Sequence, residues 1–200
     1  MGSQEWDKKY STEEYIYTKT PNRFVVEYCQ DLKGKTAIDL AGGEGRNSIW
    51  LAKSGWQVEN IDFSQVALDK FLKWAEEENV SNNAIATCQD GTEFKPALGT
   101  VDLGVIAYLH ISMGELTKSI RNLASVINQG GHLFGVWHSG ENAAEFNGPK
   151  DKPNFADIET ALSGTGMEIL ELTNREGQIQ TREGLKPSVT LVLLARRVSA

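Results

Sequence analysis

Cysteine is nearly absent from this chain: Cys29 and Cys88 are the only two in 200 residues. They form neither a disulfide framework nor a metal-ligand spacing, so no metal site is expected, and both sit in apolar runs as reduced core residues would. Basic clusters are also missing. No run of Lys or Arg exceeds two, and 20 basic residues face 27 acidic ones for a net charge of −7. The electrostatic footprint of a nucleic-acid binder is therefore lacking. No apolar run approaches the roughly eighteen residues that cross a bilayer, and the first residues do not read as a signal peptide. What these absences leave is one domain with a full core, a cytoplasmic location, and a small molecule as partner in place of nucleic acid or membrane.

What is present is an alternation of short apolar runs with amphipathic stretches, the pattern of an α/β fold with a parallel sheet covered by helices. Strands are expected at Thr36 to Leu40, Gln57 to Ile61, Ala84 to Gln89, Val101 to Ala107 and His132 to Trp137. Ser64 and Ser112-x-x-Glu115 read as helix caps, and Ser11-x-x-Glu14 as the capping box of a short tyrosine-rich helix. Pro21-Asn22 opens another helix, and one more is expected near Phe155 to Leu162. Met167 to Leu172 and Val189 to Ala195 have no helical pattern between them, which predicts an antiparallel hairpin at the sheet edge. Ser139 to Pro153 reads as a long polar loop.

The most informative stretch is Ala37 to Asn47, where a strand runs into three glycines in five residues and then a helix. Such a loop lets backbone amides approach the polar part of a nucleoside cofactor. Gly43-x-Gly45-x-x-Ser48 is a loose relative of the dinucleotide fingerprint, and an NAD-dependent oxidoreductase is the competing interpretation. Asp39 separates the two. A carboxylate within about 4 Å of a pyrophosphate would cost about 4 kcal/mol per charge pair at an effective dielectric near 20, and would gain a comparable gross amount beside a cation. S-adenosylmethionine (SAM) carries an ammonium and a sulfonium and no phosphate, so the charge favours SAM. Asp62 and Asp90 close the second and third strands, suited to the ribose hydroxyls and the adenine amino group, at the strand ends where open α/β sheets bind ligands.

On Ile38-Asp39-Leu40-Ala41-Gly42-Gly43-Glu44-Gly45-Arg46-Asn47, Val58 to Ser64, Asp90-Gly91 and Gln129-Gly130-Gly131, the chain resembles the class I SAM-dependent methyltransferases. Gly-Glu-Gly-Arg-Asn followed by Ile49-Trp50-Leu51-Ala52, with the hairpin ending Leu194-Ala195-Arg196-Arg197, is similar to the tellurite-resistance branch. The resemblance implies a Rossmann-like, seven-stranded, mostly parallel sheet ordered 3-2-1-4-5-7-6, last strand antiparallel, with helices on both faces. It also implies that residues 1–20 form an N-terminal lid on a single domain spanning 21–200, with a helix packed on the sheet edge as the alternative. The cofactor residues it implies are Asp39, Ala41, Gly42, Gly43, Gly45, Arg46, Asp62, Phe63, Asp90, Gly91 and Ala107. Departures stand out in the loop and in the hairpin. Ala41 replaces the first glycine of the family's loop, which a methyl permits only at negative φ, and Gly42 stands where cysteine is common. The branch's histidine in the last hairpin is missing between Gln178 and Arg182.

Methyl transfer demands alignment first, with a general base only where the acceptor arrives protonated. His110, three residues past the fourth strand, and His138, at the mouth of the fifth, are the catalytic candidates, with fixing the start of the next helix the plainer role for His110. Trp6, Tyr10, Tyr108 and Trp137 are candidates for the acceptor pocket, with core packing the plainer role for Trp137. Arg46 suits a carboxylate or an ordinary salt bridge. Glu44 is expected to face solvent, and His132 to be structural. The function expected is transfer of a methyl from SAM to a small heteroatom acceptor such as a thiol, metalloid or heterocycle. The alternative is a SAM-binding module without turnover.

Overall fold

Strand-forming segments and well-capped helices alternate along the chain and close into one seven-stranded sheet ordered β3-β2-β1-β4-β5-β7-β6. The computed structural model describes residues 2–140, 151–181 and 184–198. Most of the expected polar loop, 141–150, lies outside the described residues, as do Arg182 and Glu183. The strands are β1 Thr36–Leu40, β2 Gln57–Asp62, β3 Ala84–Cys88, β4 Val101–Ala107, β5 Ile127–His138, β6 Met167–Thr181 and β7 Gly184–Arg197. The helices are α1 Ser3–Tyr10, α2 Arg23–Cys29, α3 Arg46–Lys53, α4 Gln65–Glu77, α5 Met113–Ser125 and α6 Phe155–Leu162. Strands β1 to β5 pair in parallel, and β7 runs antiparallel to both β5 and β6. The strand order and the edge hairpin are those expected.

Helix starts are set locally. Ser64 Oγ accepts from the Ala67 amide at 3.3 Å, and Ser112 and Glu115 satisfy each other's backbone amides at 3.1 and 3.4 Å. Asn22 and Asn154 cap α2 and α6 in the same way. These side chains accept from amides that the helix itself leaves unpaired. Period-two alternation along the strands then divides the core. Ile38, Leu133 and Trp137 pack on one face with Leu116 and Ile120 of α5 and Ile158 of α6. Ala37, Val105, Phe134 and Val136 pack on the other with Phe24 and Val25 of α2 and Leu51 of α3.

Three expectations are corrected. The N-terminal helix is Ser3–Tyr10, and the Ser11-x-x-Glu14 box does not form. Ser11 instead ends α1 with its hydroxyl donating to the Asp7 carbonyl at 2.7 Å, and Thr12 Oγ1 donates to the Glu14 carbonyl at 2.8 Å. Such local side-chain bonds compete with helix. Strand β5 begins at Ile127, and Gly130 lies inside it at φ +79. Its pairing with β4 jumps from Val101↔Ile127 to Leu103↔His132, so the Gly-Gly turn is an irregularity within the strand. The hairpin strands also run several residues past their apolar segments.

Candidate active site

The loop after β1 is shaped by its backbone. Gly43 has φ +55 and Gly45 φ +85, and a Cβ on Gly45 would fall 2.2 Å from the Phe71 ring. Glycine is required there by conformation and by space. Ala41 also has positive φ, at +56, contrary to the negative φ expected of an alanine. Its amide donates to the Ile61 carbonyl at 2.7 Å, and this bond to β2 helps hold the alanine in place. A left-handed L-residue costs about 1–2 kcal/mol, and glycine gives back about 0.5–1 through a freer unfolded chain. Ala41→Gly is therefore expected to stabilise the protein by about 0.5–1 kcal/mol, seen as a melting temperature raised by about 1–4 °C in a thermal scan.

Beneath the loop lies a polar cluster buried between β1 and β2. Asp39 is completely buried and accepts from the Ser48 hydroxyl at 2.7 Å through one oxygen. The other, Oδ1, has no partner among the described residues. Burial pushes its carboxyl up to about 6, against the opposing pull of Ser48 and Arg46. Asn60, also completely buried, donates to the Gly43 carbonyl at 3.0 Å, while its own carbonyl Oδ1 lacks a partner among the described residues. A Cβ on Gly42 would fall 2.5 Å from Asn60 Oδ1 and 2.7 Å from Asp39 Oδ2. Gly42 is thus a window between the loop and two buried acceptors. Sequence reasoning missed Asn60; its signal was an amide placed in an otherwise buried strand.

Asp62 accepts from the Gly43 amide and from the Ser64 amide, each at 2.9 Å, and burial raises its carboxyl pKa despite these bonds. It therefore shapes the loop as well as facing the rim. Asp90 shares that rim but is exposed, with one oxygen accepting from the amide and hydroxyl of Thr92 at 2.7 and 2.8 Å. Gly91 is not forced to be glycine by space, since a Cβ there would meet Leu40 at an ordinary 3.6 Å. Phe63 and Ala107 are half-buried at the ends of β2 and β4. Arg46 is half-buried, its guanidinium 5.7 Å from the Tyr17 ring.

Helix α1 covers this loop. Tyr10 is buried, and its hydroxyl lies 2.8 Å from where a Gly43 side chain would begin. Burial, and next the charge of Asp62, raise its phenol pKa. Trp6 stacks on Tyr10 at 5.5 Å, and Asp7 accepts from the Ser64 hydroxyl at 2.5 Å. Glu44 does not face solvent. It is 5% exposed and bound to the chain that follows α1, which corrects the expectation from sequence.

One strand over, β4 is followed by Tyr108, which has φ +60. Ala41 and Tyr108 thus place backbone strain at the ends of the two neighbouring central strands, where strain of about 1–3 kcal/mol per residue is characteristic of functional sites. Tyr108 lies 4.9 Å from His138, and His110 stacks on His138 at 5.2 Å and 12°. The three residues singled out from sequence are therefore neighbours. His110 Nδ1 sits 3.3 Å from the Asp151 carbonyl oxygen. A carbonyl only accepts, so Nδ1 carries the proton and Nε2 the lone pair. That Nε2 is buried with no partner among the described residues. Burial lowers the pKa of His110, and burial, then His110 and Lys152, push His138 down to about 4. Both imidazoles are neutral at neutral pH. His132 lies within β5, six residues before His138, and is paired with Arg196 of β7.

Trp137 does not join this group. Adjacent residues of a strand point to opposite faces, and Trp137 packs completely buried among the α5 and α6 side chains. Its expected place in the wall of the acceptor pocket is corrected to a core role.

A family model described as a methyltransferase domain matches residues 37–131. The ribosomal RNA small subunit methyltransferase C of Alcanivorax borkumensis is 36% identical over 69 residues, covering 34% of this chain and 20% of that one. TehB from Haemophilus influenzae superposes with a TM-score of 0.75 at 19% identity, over 98% of this chain and 66% of TehB. The magnesium protoporphyrin IX methyltransferase ChlM from Synechocystis PCC 6803, solved with bound SAM, gives a TM-score of 0.63 at 22% identity, over 98% and 79% of the two chains. The chain spans less than two thirds of the length of the first two. Residues 37–131 thus match a methyltransferase domain, and the strand order built around them is the fold that TehB and ChlM share.

Proposed function

We propose that the chain transfers a methyl group from SAM to a small molecule through a heteroatom of that molecule. The observation that carries this reading is the juxtaposition at neighbouring strand ends. Two buried acids and two unpartnered acceptors adjoin the glycine loop at β1 and β2, and a neutral imidazole with a fixed lone pair follows β4. The acids fit a cationic, phosphate-free ligand, since burying them beside a phosphate would set like charges together. Bound SAM supplies a methyl group already activated by positive sulfur. Asp39 and Asp62 balance the ligand's charge from behind the loop, and Arg46 suits its carboxylate. Asp90 retains an oxygen for the adenine amino group, and Phe63 flanks the same end of β2. Tyr108 and His138 flank the acceptor, Trp6 and Tyr10 cover it from α1, and His110 takes the acceptor's proton at Nε2. Nothing in the machinery demands a polymer, and the net charge of −7 disfavours one.

The test is a panel of thiols, metalloids and heterocycles incubated with SAM and the purified protein, with an RNA hairpin included, scored by S-adenosylhomocysteine formed. Turnover on a small acceptor is expected. Turnover on the RNA alone would replace the acceptor class, and silence across the panel with SAM bound would favour a module without turnover. Tryptophan fluorescence titrations that respond to NADH but not to SAM would overturn the cofactor assignment.

A further inference from the structure

Glu44 sits within the glycine loop, yet its partners come from elsewhere. One carboxylate oxygen accepts from the amides of Ile16 and Tyr17, at 2.9 and 3.4 Å, and the other meets Lys70 Nζ of α4 at 2.9 Å. Lys70 also donates to the Glu14 carbonyl at 2.9 Å, and its own carbonyl accepts from the Tyr15 hydroxyl at 3.2 Å. The Tyr15 ring stands edge-on to Trp74 at 5.4 Å. Residues 14–17 are thereby strapped across the start of α3 and the side of α4. They join α1, which lies over Gly43 and bonds to Ser64, to the rest of the chain. A carboxylate this buried is tolerated only because each oxygen is satisfied. In an 11–20 segment without regular structure, these bonds supply the order that a helix would otherwise give.

We propose that Glu44 is a positioning residue, which fastens the 14–17 strap to the cofactor loop and so holds α1, with Tyr10 and Trp6, over Gly43. The strap and the ligand then share one loop, and order in either favours order in the other. The inference rests on the assignment of this loop to SAM. Tyr10 and Trp6 act from a helix whose other residues, Asp7 aside, are exposed, so the strap decides how long they stay in place.

Hydrogen exchange of peptides covering residues 3–20, with and without SAM, tests this in Glu44→Ala, Glu44→Gln and Lys70→Met. In the parent protein SAM is expected to slow exchange in this segment. Without ligand, Glu44→Ala should speed it by about tenfold while peptides of β1 and α5 keep their rates. Its SAM dissociation constant should rise by about tenfold, and Glu44→Gln, which keeps an acceptor for the amides, should recover part of both effects. Lys70→Met frees the strap less, leaving the amide bonds intact. Unchanged exchange in 3–20 would overturn the proposal, as would a freed strap with unaltered SAM affinity or equal loosening of the whole domain. If neither parent nor variants bind SAM while the strap is freed without ligand, the fastening role stands and the cofactor assignment fails instead.

Discussion

Replacing His110 with alanine should slow turnover by about 10²- to 10⁴-fold, the range for loss of a positioned general base, and change SAM affinity by less than about twofold. The expectation follows from the tautomer. With Nδ1 donating to the Asp151 carbonyl, Nε2 can only accept, and it is buried beside Tyr108 and His138 at the end of β4. Because burial lowers the His110 pKa, the imidazole is unprotonated at neutral pH. Turnover should therefore begin to decline at a lower pH than an ordinary histidine would set. The measurement is kcat against pH for the parent and for His110→Ala and His110→Gln. Glutamine keeps a polar side chain but offers no basic nitrogen, so it should be as slow as alanine. A glutamine variant with parental kcat would reduce His110 to an anchor for the segment before α5.

The elements that sequence made legible are those whose causes are local. Ser64, Ser112 with Glu115, and the strand-end acids announce themselves because cap and helix, or strand and turn, lie within a few residues. The grouping of Tyr108, His110 and His138 was legible because parallel strands place their carboxyl ends side by side. Glu44 was not legible, since the amides it binds lie 27 and 28 residues upstream in a segment without regular structure. Asn60 was missed for a related reason: its task is to face a loop across from its own strand. The positive φ of Ala41 is a tertiary effect, set by the turn from β1 toward α3, and local preference argues against it. Trp137 was a different failure. Period-two alternation places it opposite His138, and that rule was available from sequence alone.

Asp39→Asn is expected to move stability and cofactor affinity in opposite directions. The folded-state pKa of Asp39 is raised to about 6, because burial penalises its charge. Between the unfolded value near about 4 and this folded value, the folded chain binds more protons than the unfolded one, so stability falls as pH rises. Across that window the loss is about 3 kcal/mol, complete above about pH 6. Asparagine is neutral and nearly isosteric, so at neutral pH it should recover part of that amount, measured as a higher denaturation midpoint. Affinity runs the other way. The ammonium of SAM favours the ionised carboxylate behind Gly42, so SAM binding by the parent should weaken about tenfold per pH unit below about 6. The shift of Asp62 is in the same direction and adds to that slope. The asparagine variant should bind SAM about ten- to a hundredfold more weakly at neutral pH, with a flatter dependence on pH. Calorimetric titration across the acid range, paired with denaturant melts, separates the two effects. A variant that lost both stability and affinity would show Asp39 holding the loop through Ser48, with no part in balancing the ligand's charge.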